Sequence, residues 1–340
     1  MNLIDVLLKS EEPSVRYKTK VNLLDENPDS HSNKKLKEEI RNSPRVNKLL
    51  SLRDSSGKLE PVNSPYQKWF GAHWVLVHLS ELCYPENDKA LYPVRDQIYD
   101  LWLSDYMLKT VVYSGKKPVI KGGGVPVVNG KARRCVSQQG NALYSTLSLG
   151  ISDDRTQTLL ELILKWQWPD GGWNCDKNPE AHTSSFKESL IPLRGLAKYL
   201  KFNKHKKAAE ALNSASELFL QRKLFKKLSS GNIINPEFIK LHYPCYWQYD
   251  ILFALKVMDE AGFIKDSRCN EALDLLESKQ LKSGGWRSGG KFYKFDNSKE
   301  SIHKINFEKV EWESAGNSKM NEWITLDALN VLKKAGRIKI

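Results

Sequence analysis

Two thiols and an imidazole raise the first chemical question. Cys175 closes the run QWPDGGWNC at residues 167–175, His182 follows seven residues later, and Cys135 stands forty residues earlier. Thiolate and imidazole are the ligands zinc favours, and three protein ligands would leave a fourth position for water or a substrate thiol. Cys135, Cys175 and His182 are therefore the candidate metal ligands, with zinc the candidate cofactor. The competing reading is that Cys135 and Cys245 pack at helix starts and His182 caps one. The five cysteines are odd in number and widely spread, which speaks against a disulfide framework. Asp250 is the best candidate for a buried catalytic acid, with a hydrogen bond to a neighbouring Trp or Tyr as its alternative role. His73, among Trp69, Phe70 and Trp74, is the second catalytic candidate.

Aromatic residues crowd the same regions. Trp69, Trp74, Trp247, Trp323 and Phe186 are candidate walls of a cavity for an isoprenoid or other apolar molecule, since π faces bury carbon and stabilise cations. The alternative is that they fill a core. Lys117 and Arg134, in the basic stretch 116–134, could receive a diphosphate at the cavity mouth. The net charge of +13 and the pI near 9.3 would attract nucleic acid, anionic lipid or a diphosphate, or would simply be a solvated surface. The glycine run KGGGVPVVNG lacks the preceding strand and the following Lys-Ser or Lys-Thr of a phosphate loop. The first residues lack a basic leader and a cleavage site, and no apolar run spans a bilayer, so the expected location is cytoplasmic.

These residues need elements to position them. The spacing Gln-x3-Gly-Gly-Trp occurs at Gln167 and again at Gln280, 113 residues on. Adding Arg53 and Gln221 in the same frame gives a period of about 57, with one copy worn away. Helical periodicity sorts the segments into two sets. Residues 12–24, 68–83, 135–151, 184–200, 245–261 and 320–335 are apolar on more than one side and read as six inner helices. Residues 33–52, 94–105, 155–166, 206–223 and 266–279 are amphipathic and read as outer helices. Inner-to-outer connections are brief and outer-to-inner ones long, so alternating antiparallel helices gather the long loops on one face, where a site belongs. The chain reads as a single domain over 1–340 with insertions at 109–134 and 281–319, whose stretches VPVVNGKARR and KFYKFDN predict small hairpins.

QWPDGGW and QLKSGGW resemble the QW motifs of squalene and oxidosqualene cyclases, and the helical repeat resembles the α/α toroid those enzymes share with protein prenyltransferase β subunits. The resemblance implies an all-α toroid of about six inner helices. It implies that Gln167, Trp173, Gln280 and Trp286 hold repeats together, the amide bonding backbone and the indole stacking. It also implies an enzyme, a transferase or cyclase, acting on an isoprenoid or other apolar substrate. The alternatives are a non-catalytic ligand-binding or scaffold toroid, and a nucleic-acid-binding protein using its basic surface. The Asp-x-Asp-Asp and Asp-Asp-x-x-Asp motifs of terpene cyclases and synthases are absent, and Asp153 and Asp154 sit where they would cap a helix. Prenyltransferases and lanthionine cyclases hold zinc with cysteine and histidine, and the similarity here is of arrangement only.

Overall fold

The computed structural model describes residues 2–113, 123–298, 306–312 and 319–340. Helices dominate: α1 (Leu3–Leu8), α2 (Pro13–Lys18), α3 (His31–Arg41), α4 (Pro44–Leu49), α5 (Ala72–Glu81), α6 (Tyr92–Trp102), α7 (Asp105–Leu108), α8 (Ser137–Ser148), α9 (Arg155–Lys165), α10 (Phe186–Leu200), α11 (Lys206–Leu220), α12 (Ile251–Glu260), α13 (Asn270–Ser278) and α14 (Glu322–Lys334). Five short strands accompany them: β1 (Thr110–Tyr113), β2 (Val125–Val128), β3 (Lys131–Ala132), β4 (Lys294–Phe295) and β5 (Phe307–Glu308). The expected all-helical chain is thus largely helical with a small sheet. No described helix is long and apolar enough to cross a membrane.

The expected outer segment 33–52 is two helices, because Ser43 accepts from the Val46 N–H and Pro44 fills the first helical position, which together restart the chain. The expected inner segment 245–261 begins only at Ile251, where Asp250 caps the helix through the Phe253 N–H. VPVVNGKA forms the antiparallel pair β2–β3, as its Asn-Gly turn predicts. KFYKFDN does not form a hairpin; its strand β4 pairs in parallel with the more distant β5.

The inner helices pack in succession: α5 against α8, α8 against α10, α10 against α12, α12 against α14, and α14 against α2. At the α8–α10 crossing the backbones nearly touch, since a Cβ on Gly140 would lie 2.7 Å from the Pro192 nitrogen. Proline is tolerated inside α10, and glycine on the partner lets the two helices close in. Lys333 donates to the Leu23 carbonyl at 2.7 Å and Ser10 to Glu322 at 2.5 Å, so the last helix is tied to the first ones.

The two Gly-Gly-Trp turns have one geometry. Trp173 Nε1 donates to the Ile163 carbonyl at 2.9 Å and Trp286 Nε1 to the Leu276 carbonyl at 2.7 Å, ten residues back in each case. The Trp173 N–H donates to Ser189 Oγ and the Trp286 N–H to Thr325 Oγ1, both at 2.9 Å. Each indole is buried, 0% and 1% exposed, so each turn fastens an outer helix to the inner helix that follows. Gln167 donates to the Gly171 and Ala211 carbonyls at 2.7 and 2.9 Å, whereas Gln280 is exposed.

Candidate metal centre

The turn that fixes Trp173 also aims the thiol two residues beyond it. Asn174 bridges to Arg133 in parallel register, which lays the end of the β3 segment beside the turn and brings Cys135 close to Cys175. The close α8–α10 packing then presents the first turn of α10 to both. Its Glu188 turns one carboxylate oxygen toward Cys175 Sγ at 3.6 Å, while the other accepts from Ser137 Oγ at 2.8 Å and from the Ser137 N–H at 3.3 Å. Ligand atoms of Cys135, Cys175 and Glu188 all lie within 4.8 Å of one another. Zinc bonds of about 2.3 Å to sulfur and 2.0–2.2 Å to oxygen would separate tetrahedral ligands by roughly 3.5–3.8 Å. The sulfur–oxygen distance of 3.6 Å already meets that requirement.

The electrostatics favour a cation there. The Cys175 thiol is pushed up first by its hydrogen bond with Cys135, then by burial and by the Glu188 charge. Burial raises Glu188 as well, against the bonds from Ser137. Two acidic groups that hold their protons more tightly than usual, Cys175 and Glu188, thus stand together beside the Cys135 thiol, and a divalent cation would take the place of those protons.

Basic and aromatic side chains stand around the thiols. Lys68 Nζ lies 5.4 Å from the Trp69 ring centre and 5.0 Å from that of Trp247, and Lys187 Nζ lies 5.5 Å from Trp247. Arg134 donates to Gln138 and sits 5.5 Å over Trp102. Burial lowers Arg134, while Cys135 and Glu188 are among the groups pulling it back up.

The expected ligand His182 is not part of this group. It stands on the exposed loop, 68% accessible, with Nε2 3.6 Å from Glu180, and its carbonyl accepts from Lys131. Glu188 occupies the place in the cluster that His182 was expected to take. The expected catalytic residues, Asp250 and His73, lie outside this group. Asp250 is fully buried; its oxygens accept from the N–H groups of Phe253 and His242 at 2.8 Å, with the His242 ring Nδ1 at 3.2 Å and Cys245 Sγ at 3.4 Å. His73 is buried, accepts at Nδ1 from Trp102 Nε1 at 3.1 Å, and is pushed down to about 3 by burial, so its ring is neutral.

The expected substrate residues mostly fill the interior. Trp69 stacks on Tyr246 at 3.9 Å, Trp74 meets Trp69 edge-on at 4.7 Å, and Trp323 stacks on Tyr243 at 4.8 Å. Phe186 packs among Phe219, Phe238 and Tyr249. Of these five only Trp247 is half-buried; Lys68 over its ring feels the Cys135 and Glu188 charges, as does Arg134. Lys117 lies outside the described residues.

The space between the inner helices differs from the expected apolar cavity. It amounts to about 40 Å³, lined among others by Glu81, Arg194, Lys256 and Asp327. That volume holds roughly three waters. Two features close it. Arg194 binds Glu260 through two nitrogens at 2.6 and 2.8 Å and also binds Glu81, while Lys256 pairs with Glu81 at 2.9 Å and Asp327 at 3.1 Å. From the other side the 281–319 insertion sends in Glu308, fully buried, which accepts from Tyr246 at 2.9 Å and faces His78 Nε2 at 3.1 Å. Sequence reasoning missed both groups, because each partner comes from a different helix or insertion.

Searches find no family model that matches this chain and no curated protein significantly similar to it.

Proposed function

We propose that this chain is an α/α toroid enzyme whose reaction centre is a zinc ion held by Cys135, Cys175 and Glu188. The toroid reading rests on the succession of packed inner helices and on the tie between α14 and α2. The single observation that carries the catalytic reading is the size of the ligand set. Among the described residues three ligand atoms converge and no fourth protein ligand joins them. A structural zinc closes its shell with four protein ligands, whereas a catalytic one keeps a position for water or substrate. The bound ion would lower the pKa of a water or substrate thiol in that position.

The chain's own groups divide the remaining work. Ser137 holds Glu188 in place with two hydrogen bonds, so the carboxylate is oriented before any ion arrives. Lys68 and Lys187 flank Trp247 beside the cluster, an arrangement suited to a substrate with an anionic group and a flat or apolar body. An isoprenoid or other apolar substrate would lie against Trp247 on the long-loop side, since the roughly 40 Å³ at the centre is far below the volume a ligand pocket needs.

Metal analysis tests the reading. About one zinc per chain is expected in the purified protein, lost in Cys135→Ser, Cys175→Ser and Glu188→Gln and kept in His182→Ala. Cobalt substitution should give intense thiolate charge-transfer bands that change when a small thiol is added. A folded wild type that neither contains nor takes up zinc would overturn the proposal.

A further inference from the structure

The positive charge of this protein is not spread evenly along its chain. The five connections that lead into inner helices, residues 50–71, 103–136, 166–185, 221–250 and 279–321, hold 25 Lys and Arg against 13 Asp and Glu. The rest of the chain holds the remaining 28 against 27, so nearly all of the net +13 belongs to the connections. Two of the acids in them, Asp250 and Glu308, and two of the cations, Arg133 and Lys309, are buried, so burial leaves the balance in favour of positive charge unchanged.

These connections bond to one another. Lys131 donates to the His182 carbonyl, Arg133 bridges Asn174, Gly289 donates to the Leu241 carbonyl at 2.7 Å, and Trp69 donates to the Phe307 carbonyl at 2.8 Å. Tyr66 and Lys68 of the 50–71 connection in turn lie within reach of the Cys135 and Arg134 charges of the 103–136 one, so the described parts of the connections adjoin along one side of the helices. Among the described residues, six of the nine exposed large hydrophobic side chains belong to these connections, among them Val112 at 76%, Leu228 at 59% and Phe295 at 47%. They stand beside cations in sequence: Leu108 next to Lys109, Leu228 next to Lys227, Phe295 next to Lys294, all exposed.

From this pattern we infer that the long-loop face docks on an anionic lipid bilayer, with Val112, Leu228 and Phe295 entering the headgroup boundary and the lysines meeting acidic headgroups. Lysines alone would suit any polyanion. Four of the six, Leu108, Val112, Leu228 and Ile233, are aliphatic and decide between them, because single-stranded nucleic acid stacks on aromatic faces and a duplex offers little to a valine or a leucine, whereas a bilayer takes up both apolar groups and cations. Each lysine near such a surface contributes about a fivefold gain in binding.

Vesicle sedimentation with the full chain tests this docking independently of the metal centre. Vesicles with about 30% phosphatidylserine should bind the protein, neutral phosphatidylcholine vesicles much less, and salt near 0.5 M should weaken binding. Lys227→Glu with Lys282→Glu and Lys294→Glu should lower it by at least about a hundredfold. Val112→Asp with Leu228→Asp should lower it by at least about tenfold while leaving the melting temperature and zinc content unchanged, which separates docking from folding and from the metal proposal. Equal binding to neutral and acidic vesicles, full binding by the Val112/Leu228 variant, or a DNA duplex bound more tightly than the acidic vesicles would each overturn the inference.

Discussion

Replacing Arg194 by methionine should reveal how the middle of the helical assembly is held. Arg194 is 3% exposed and reaches Glu81 from α5, Glu260 from α12 and the Tyr144 hydroxyl from α8, the last at 2.6 Å. Methionine keeps much of the volume and removes the charge. Removing one partner of a buried ion pair costs about 3–5 kcal/mol, because the other is left desolvated and unpaired. Unfolding entropy of about 2.1 cal/mol/K per residue over this chain makes 1 kcal/mol worth roughly 1.4 °C, so the melting temperature should fall by roughly 4–7 °C.

The pH dependence separates charge from packing. In the wild type Arg194 and Lys256 hold Glu81 well below its ordinary value despite burial. A depressed carboxyl contributes stability that is present above its unfolded pKa and lost only as pH falls toward the folded one, so this contribution is constant between pH 7 and 5. In the variant, Glu260 loses the only cation with which it forms an ion pair among the described residues. Glu81 loses the larger of the two charges that hold it down, so burial raises its pKa relative to the wild type, and the variant's folded state gains relative stability as pH drops. The gap between wild type and variant, measured by urea unfolding, should therefore shrink from pH 7 to pH 5. An equal gap at both pH values would mean that Arg194 acts through packing, and the electrostatic reasoning would fail.

Two further outcomes follow from the interior. Trp173→Ala and Trp286→Ala should each cost about 3–5 kcal/mol, since each indole is buried and its N–H is bonded; unchanged melting curves would refute a fastening role. His73 is held neutral down to about 3 by burial, so protonation below the unfolded value near 6.5 favours the unfolded chain. Wild-type stability should decline by about 2 kcal/mol between pH 7 and 5 from this residue, and His73→Gln, which still offers an acceptor to Trp102, should flatten that decline.

The helices were legible because their signal is local. Apolar period and the repeated Gly-Gly-Trp spacing are both contained within a few turns of chain, although periodicity alone runs one helix through the equally local restart at Ser43-Pro44. What the sequence hid was the content of the interior. Trp69, Trp74 and Trp323 read equally well as cavity walls and as core. The choice depends on Glu308 and Arg194, whose partners lie 62 to 230 and 50 to 113 residues away. No window of periodicity reaches that far.

The candidate metal centre shows where a local rule misleads. Ser185-x-x-Glu188 has the spacing of a capping box, in which glutamate would bond back to the serine N–H and the serine side chain would cap the helix. Ser185 makes no such side-chain bond, and Glu188 instead turns to Ser137 and Cys175 on other segments. A carboxylate diverted from a cap that its own helix offers has given up a local interaction for a tertiary one. Such conflicts between local preference and global arrangement concentrate at functional sites. His182 attracted attention because histidine is the commoner ligand type and lies nearer Cys175 in sequence, yet its loop carries it into solvent. Glu188 sits in the first turn of α10, and the packing of Gly140 against Pro192 fixes that turn beside α8. The third ligand was therefore set by a helix crossing, and the residues that could have revealed it are a glycine and a proline.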